Sequence, residues 1–238
     1  DAGKSFVEDA ALVLHMHERM VNNARRIAQG LMGEFNLGIY GSTAYQFVPG
    51  VIRRFRADYP DVKLNLTAMD GSELLVALRN RSVAIGFTPL AEAAPDMTIE
   101  RIVGEQMMIA LPEHHPLVAQ EAIAPSELAR TPLILMSGRE RLNYLHLAAE
   151  IFQNAGAMPR ITHEVTEPLA CLSLVSGGFG FALVAESNRH LPFKGVVYRR
   201  FDVTNPPRID LSCVYLANNP SVMLRAFLKA VRSSAGQK

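Results

Sequence analysis

From Phe6 to Leu31 apolar residues return at helical spacing with no proline among them. Phe6, Val13, Met20 and Ile27 stand seven apart, and Ala10, His17, Ala24 and Leu31 each follow four later. Such a seam predicts a helix from residue 4 to about 31, packed along its length against a partner. Glu18, Arg19, Arg25 and Arg26 flank the seam, while Val7, Leu14, Val21 and Ala28 widen the apolar face. A helix laid on its own domain would carry a similar stripe. Gly30-Leu31-Met32-Gly33 interrupts the pattern, so residues 1–33 form a first unit.

Beyond Phe35 the rhythm changes to short strands alternating with helices. Leu37 to Tyr40 reads as a buried strand, and Gly41-Ser42-Thr43 as the turn after it. A helix follows with Phe47, Val51, Ile52 and Phe55 inward and Arg53, Arg54 and Arg56 outward. Val62 to Thr67 and Val83 to Phe87 are strands around a helix capped by Asp70-Gly71-Ser72-Glu73. This βαβαβ run predicts a parallel sheet covered by helices. After a strand at Met107 to Leu111 the plan repeats. Strands are expected at Leu133 to Met136, Ile161 to Val165 and Gly180 to Val184, with helices at Asn143 to Asn154 and Leu169 to Val175. A last strand, Asp210 to Leu216, leads into a helix from Pro220, placed in its first turn, to about Val231.

Two α/β lobes follow: residues 34–104 with 207–238, and residues 105–206. The chain crosses between them near Gly104-Glu105 and again near Asn205-Pro206-Pro207, which makes a two-strand hinge beside a cleft. Ligands of open α/β sheets sit at the carboxyl ends of strands, where helix N-termini point. Ser42, Thr43 and Ser72 occupy such turns in the first lobe, each offering a hydroxyl beside unpaired N–H groups to a carboxylate. Each serine would equally serve as a simple helix cap. In the second lobe Asn143 and Tyr144 open a helix and could close over a planar ligand. Thr166 is placed to cap the helix after Glu167-Pro168, and Arg139 and Arg141 read as solvated charges.

Composition narrows the functions available. The 238 residues are 49% hydrophobic and 20% charged, which excludes a disordered chain. Lys and Arg total 24 against 23 for Asp and Glu, too balanced for a nucleic-acid surface over the whole chain. Two separated cysteines, Cys171 and Cys213, form neither a disulfide framework nor a ligand cluster and suit a reducing compartment. No apolar run has the length of a membrane span. Catalytic signatures of the HExxH, CxxC, GxSxG and Walker types are missing. Neither His15-Met16-His17 nor His114-His115-Pro116 makes a metal site, and no cofactor is expected. Ser176-Gly177-Gly178-Phe179-Gly180 ends a helix and enters a strand, the reverse of a dinucleotide fingerprint.

The run LGIYGSTAYQFVPGVIRRFRADYPDVKLNL, followed by MDGSELLVALRNRSVAIGF, closely resembles the effector-binding domain of LysR-type transcriptional regulators. MMIALPEHHPLV, TPLILM and LVSGGFGFALV match the same family in the same order, and DAGKSFVEDA resembles the start of its linker helix. The segment from Arg141 to Val184 is most similar to regulators of aromatic-compound breakdown. The resemblance implies two Rossmann-like lobes of the type 2 periplasmic-binding-protein kind, preceded by a long linker helix. It also implies a cytoplasmic homodimer or homotetramer that contacts DNA only through an N-terminal winged helix-turn-helix absent from this sequence. A small carboxylate effector, aromatic or dicarboxylic, would bind between the lobes, at positions Ser42, Thr43, Ser72, Thr88, Asn143, Tyr144, Val165 and Thr166. One departure matters. Some relatives carry an Arg shortly after the Gly-Phe matching Gly86-Phe87, where Thr88-Pro89 stands here, which argues against a second, buried aromatic-acid pocket. A periplasmic solute-binding protein is the alternative, but it would not need the N-terminal seam. An enzyme on this fold would need an activated acid, base or cofactor residue, and the sequence nominates none.

Overall fold

The computed structural model describes residues 1–89, 91, 93–136, 141–153, 156 and 158–236; for residues 5, 42, 43 and 141–143 it describes the backbone only. The N-terminal helix α1 spans Ala2–Ala28, three residues short of the expected end. The Gln29 N–H closes it on Arg25, and Gly30 follows with φ +71. A Cβ on Gly30 would sit 3.3 Å from the backbone nitrogen of Met223, so that turn is pressed on the body of the protein. Arg26 also pairs with Asp61 there. The rest of the seam faces outward from the single chain: Phe6 is 74% exposed and Met20 66%.

The first lobe is built from β1 (Gly33–Ile39), α2 (Ser42–Asp58), β2 (Val62–Ala68), α3 (Gly71–Arg79) and β3 (Ile85–Pro89). β2 and β3 flank β1 in parallel, with Leu37 opposite both Leu66 and Ile85. The expected turn at Ser42-Thr43 is already helical, because Gly41 takes the cap position with φ +83. A strand β4 (Met97–Pro112) then runs for 16 residues. Only its second half, Met107 to Leu111, is legible as a strand in the sequence.

The second lobe continues with β5 (Ala122–Ile123), α4 (Pro125–Leu128), β6 (Leu133–Met136), α5 (Arg141–Gln153), β7 (Ile161–Val165), α6 (Pro168–Ser176), β8 (Phe181–Ala185) and β9 (Val196–Phe201). β7 and β8 flank β6 in parallel, as in the first lobe. A 3-10 turn, Glu186–His190, follows β8. β9 is a strand the sequence pattern does not announce. The chain returns through β10 (Arg208–Leu216) to α7 (Val222–Ala235). Ser221 caps α7 through its hydroxyl, so Pro220 precedes the helix rather than occupying its first turn.

β4 belongs to both lobes. From Met97 to Gln106 it pairs antiparallel with β10, and from Met107 to Ala110 with β8. The Met107 N–H donates to the carbonyl of Pro207 at 2.7 Å, so the two crossings remain bonded where the lobes part. Each lobe has its own core. In the first, α2 and α7 close over the sheet through Phe35, Phe55, Phe87 and Phe227; in the second, Phe152 and Phe181 sit among Ile, Leu and Val. Full burial of each such side chain contributes roughly 1.5–3 kcal/mol. Gly178 (φ +81) and Gly180 (φ +151) make the turn from α6 into β8, as the glycine run suggests. A Cβ on Gly180 would lie 2.2 Å from the carbonyl oxygen of Pro132, so no larger residue fits.

Candidate functional site: the interlobe cleft

The carboxyl ends of β1 and β2 face those of β7 and β8 across a cleft of about 580 Å³, within the range of small-molecule sites. One wall carries Tyr40, Gly41, Tyr45, Met69, Asp70 and Glu73; the other carries Thr166, Glu167, Pro168, Leu172, Asn188 and Leu191. A smaller, mostly apolar chamber of about 50 Å³ lies beside it, reached by Pro89, Met136, Tyr144 and Cys171. Tyr40, Gly41, Pro168 and Asn188 border both spaces. The Tyr40 hydroxyl donates to the carbonyl of Thr166 at 3.4 Å, a weak bond between the lobes. Behind the cleft Gln46 of α2 donates to the carbonyl of Ser187, whose own N–H donates to the Glu105 carboxylate at 2.9 Å.

The helix ends on the cleft differ in how their N–H groups are satisfied. At α3 the Asp70 carboxylate accepts from the N–H groups of Ser72 and Glu73 at 2.9 and 2.8 Å, and Glu73 reaches back to the Asp70 N–H at 3.0 Å. That reciprocal capping box fills the end with negative charge. At α2 the cap residue is Gly41, and at α6 it is Glu167, whose side chain makes no capping bond. Thr166 therefore lies one position outside the cap expected of it, because Pro168 holds the first helical position.

The expected site residues divide accordingly. Thr166 is on the cleft wall, and half-buried Val165 precedes it at the end of β7. Tyr144 lines the inner chamber. Thr88 is buried, its hydroxyl donating to the carbonyl of Pro89 at 3.0 Å. Ser72 faces an adjoining hollow, and its hydroxyl donates to Asp70 at 2.6 Å. Ser42 and Thr43 occupy the first turn of α2 directly after Gly41, and Asn143 the first turn of α5, but their side chains, like that of Arg141, lie outside the described residues. So does Arg139 with the whole 137–140 turn. Tyr40, Tyr45, Asp70, Glu73 and Asn188 are cleft residues that the sequence pattern does not single out as ligand contacts. Tyr40 ends the first strand and Tyr45 lies one turn into the next helix, so the same strand-end rule points to both.

Cys171 lines the inner chamber, and burial pushes its thiol up to about 12. It remains a neutral thiol at physiological pH. Among the described residues no group of three or more His, Cys, Asp or Glu could hold a metal ion. No described helix is long and apolar enough to cross a membrane.

Residues 28–236 match the family description "LysR substrate binding domain". The chain belongs to the LysR-type transcriptional regulators. This LysR-type domain is 30% identical over 204 residues to the regulator AlsR of Bacillus subtilis (strain 168), covering 84% of this chain and 67% of that one. It is 28% identical over 240 residues to TfdS of Cupriavidus pinatubonensis (strain JMP 134 / LMG 1197), covering 100% of this chain and 80% of TfdS. In fold it superposes on full-length CbnR bound to its target DNA with a TM-score of 0.84 at 24% identity, covering 99% of this chain and 80% of that one. The BenM effector-binding domain with benzoate gives 0.72 at 21% identity, covering 84% of this chain and 90% of that one. These relatives are regulators rather than enzymes, and the two-lobed sheet is that of LysR effector-binding domains.

Proposed function

We propose that this LysR-type domain senses a small organic acid, aromatic or dicarboxylic, in the interlobe cleft, and relays its presence to DNA as a change in lobe angle. The reading is carried by one observation: a cavity of about 580 Å³ bounded by strand ends of both lobes, with Gly41 at the N-terminus of α2 on its wall. The α2 N–H groups together with Ser42 and Thr43 grip the carboxylate. Thr166, Val165, Thr88, Asn143 and Tyr144 shape the remainder. A ligand touching both walls favours one lobe arrangement by its differential affinity for the two. The protein acts by binding alone, without catalysis or a cofactor, and in the cytoplasm. Two α1 seams pair between copies of the chain to give a homodimer or homotetramer, and DNA is contacted through a winged helix-turn-helix domain of the intact regulator.

A thermal-shift panel of benzoate, muconate and related mono- and dicarboxylates tests this, because a ligand of the native state raises its apparent stability. A charge-assisted hydrogen bond contributes about 1.5–3 kcal/mol, so Ser42→Ala should weaken binding of an active acid roughly 10- to 150-fold. Ser72→Ala should leave affinity unchanged, since its hydroxyl is bonded to Asp70. Failure of every acid in the panel to shift the melting temperature would remove the reading.

A further inference from the structure

Two short segments meet behind the cleft, one from each lobe. Tyr45 and Gln46 are neighbours early in α2, and Ser187 and Asn188 are neighbours in the 3-10 turn after β8. Adjacent residues of a helical turn point to different sides, and here each pair divides in the same way. Tyr45 and Asn188 line the cleft, while Gln46 and Ser187 line a second hollow of about 530 Å³ behind it, with Gly104, Glu105 and Arg208 of the crossing strands. No described residue borders both hollows. Between them the Gln46 amide donates to the Ser187 carbonyl, and the Ser187 N–H donates to the Glu105 carboxylate at 2.9 Å. Both backbone groups of one buried residue are thus held by side chains of the first lobe and of the crossing strand.

Two bodies bonded between two hollows turn about the bonded point, so narrowing one hollow widens the other. The bond at the front, from Tyr40 to Thr166, is 3.4 Å long and too weak to fix an angle. We infer that the Gln46–Ser187 bond is the pivot of the lobes: Gln46 is a positioning residue that sets their resting angle, and Glu105 ties the Ser187 end to β4. Closing the cleft about this point opens the rear hollow. This rests on the lobe-angle reading proposed above and adds the point of rotation.

Spin labels on Ala57→Cys in the first lobe and Arg130→Cys in the second, both exposed positions, read the interlobe distance on the whole chain without any ligand. The native cysteines are buried, and mixing with excess unlabelled protein removes distances between copies. Gln46→Leu, which keeps the bulk and loses the donor, should widen the distance distribution by at least half. Gln46→Lys, with a donor of similar reach, should restore it, and Tyr40→Phe should leave it as it is. A melting curve confirms that each variant is folded. An unchanged distribution in Gln46→Leu, widening that Gln46→Lys does not reverse, or equal widening in Tyr40→Phe would each overturn the inference. In the unaltered protein the Ser187 amide should exchange with solvent at least a hundredfold more slowly than a free amide. Exchange at the free rate would overturn the pivot with no variant needed. None of these measurements involves an acid, so the pivot can fail while the thermal-shift panel succeeds.

Discussion

The two lobes share a plan and differ in how each is finished. In both, a central strand is flanked in parallel by the next two, and an antiparallel crossing strand closes the far side. The first lobe packs rings on rings: the Phe227 centroid lies 5.0 Å from that of Phe35, 5.2 Å from Phe55 and 6.4 Å from Phe87. The second has the pair Phe152 and Phe181 at 6.0 Å, with Tyr144 and Phe201 elsewhere in a largely aliphatic core. Their matching helix ends also part company, with α3 sealed by Asp70 and α6 opening on an uncapped Glu167. One plan thus yields a lobe with clustered rings and a sealed α3 end and a counterpart with fewer ring contacts and no side-chain cap on α6, and the second supplies the other wall of the cleft.

The largest test of that contrast is Phe227→Ala against Phe152→Ala. Truncating a buried Phe costs about 3–5 kcal/mol, and each aromatic pair adds about 0.5–1.5 kcal/mol beyond area. Phe227→Ala should fall at the upper end and Phe152→Ala at the lower, by urea unfolding. Equal losses would mean that the ring cluster braces nothing. Next in size, Asp70→Ala should cost about 1 kcal/mol through its lost cap, whereas Glu167→Ala should change stability by less than about 0.5 kcal/mol. Similar losses from the two would erase the difference between the helix ends.

The smallest test is a pH profile of the first lobe. Arg232 donates to Glu100 at 2.6 and 3.0 Å, and the Tyr215 hydroxyl donates to it as well. These bonds, Arg232 first, hold the Glu100 carboxyl below its ordinary value, and burial with the neighbouring carboxylate pushes Tyr215 up to about 12. A carboxylate lowered on folding stabilises above its unfolded pKa, about 4.3, and loses that contribution as pH falls through the folded value. Glu100→Gln should therefore flatten the acid side of the stability profile. At pH 7 its cost should stay under about 1 kcal/mol, because Arg232 is largely exposed. An unchanged acid slope would show that this bridge adds nothing to the lobe.

Legibility in the sequence followed burial. β6 and β7 match their expected limits because Leu133–Met136 is fully buried and a proline, Pro132 or Pro159, stands just ahead of each strand. The first half of β4 and all of β9 escaped because Arg101 cuts short the alternation of Met97 and Ile99 with Thr98 and Glu100, and Arg199 with Arg200 interrupts the apolar run of β9, in strands that are only partly covered. The cleft was legible as a place, through the strand-end rule. Its individual contacts were less so, because a turn such as Asp70-Gly71-Ser72-Glu73 offers several side chains to one helix end. The shorter, charged Asp70 took that end, and Ser72 became its donor.

The shared strand has a mechanical consequence. Hinged proteins often turn on slack loops, where the angle between bodies is nearly free until something collides. Here β4 passes from one lobe to the other without a break, and β10 enters beside it with the Met107–Pro207 bond in place. The lobes are thus joined by one continuous strand, with the second crossing tied to it by the Met107–Pro207 bond. Turning one lobe against the other cannot be absorbed by a free loop on the β4 side; it must twist a hydrogen-bonded strand whose residues also belong to both cores.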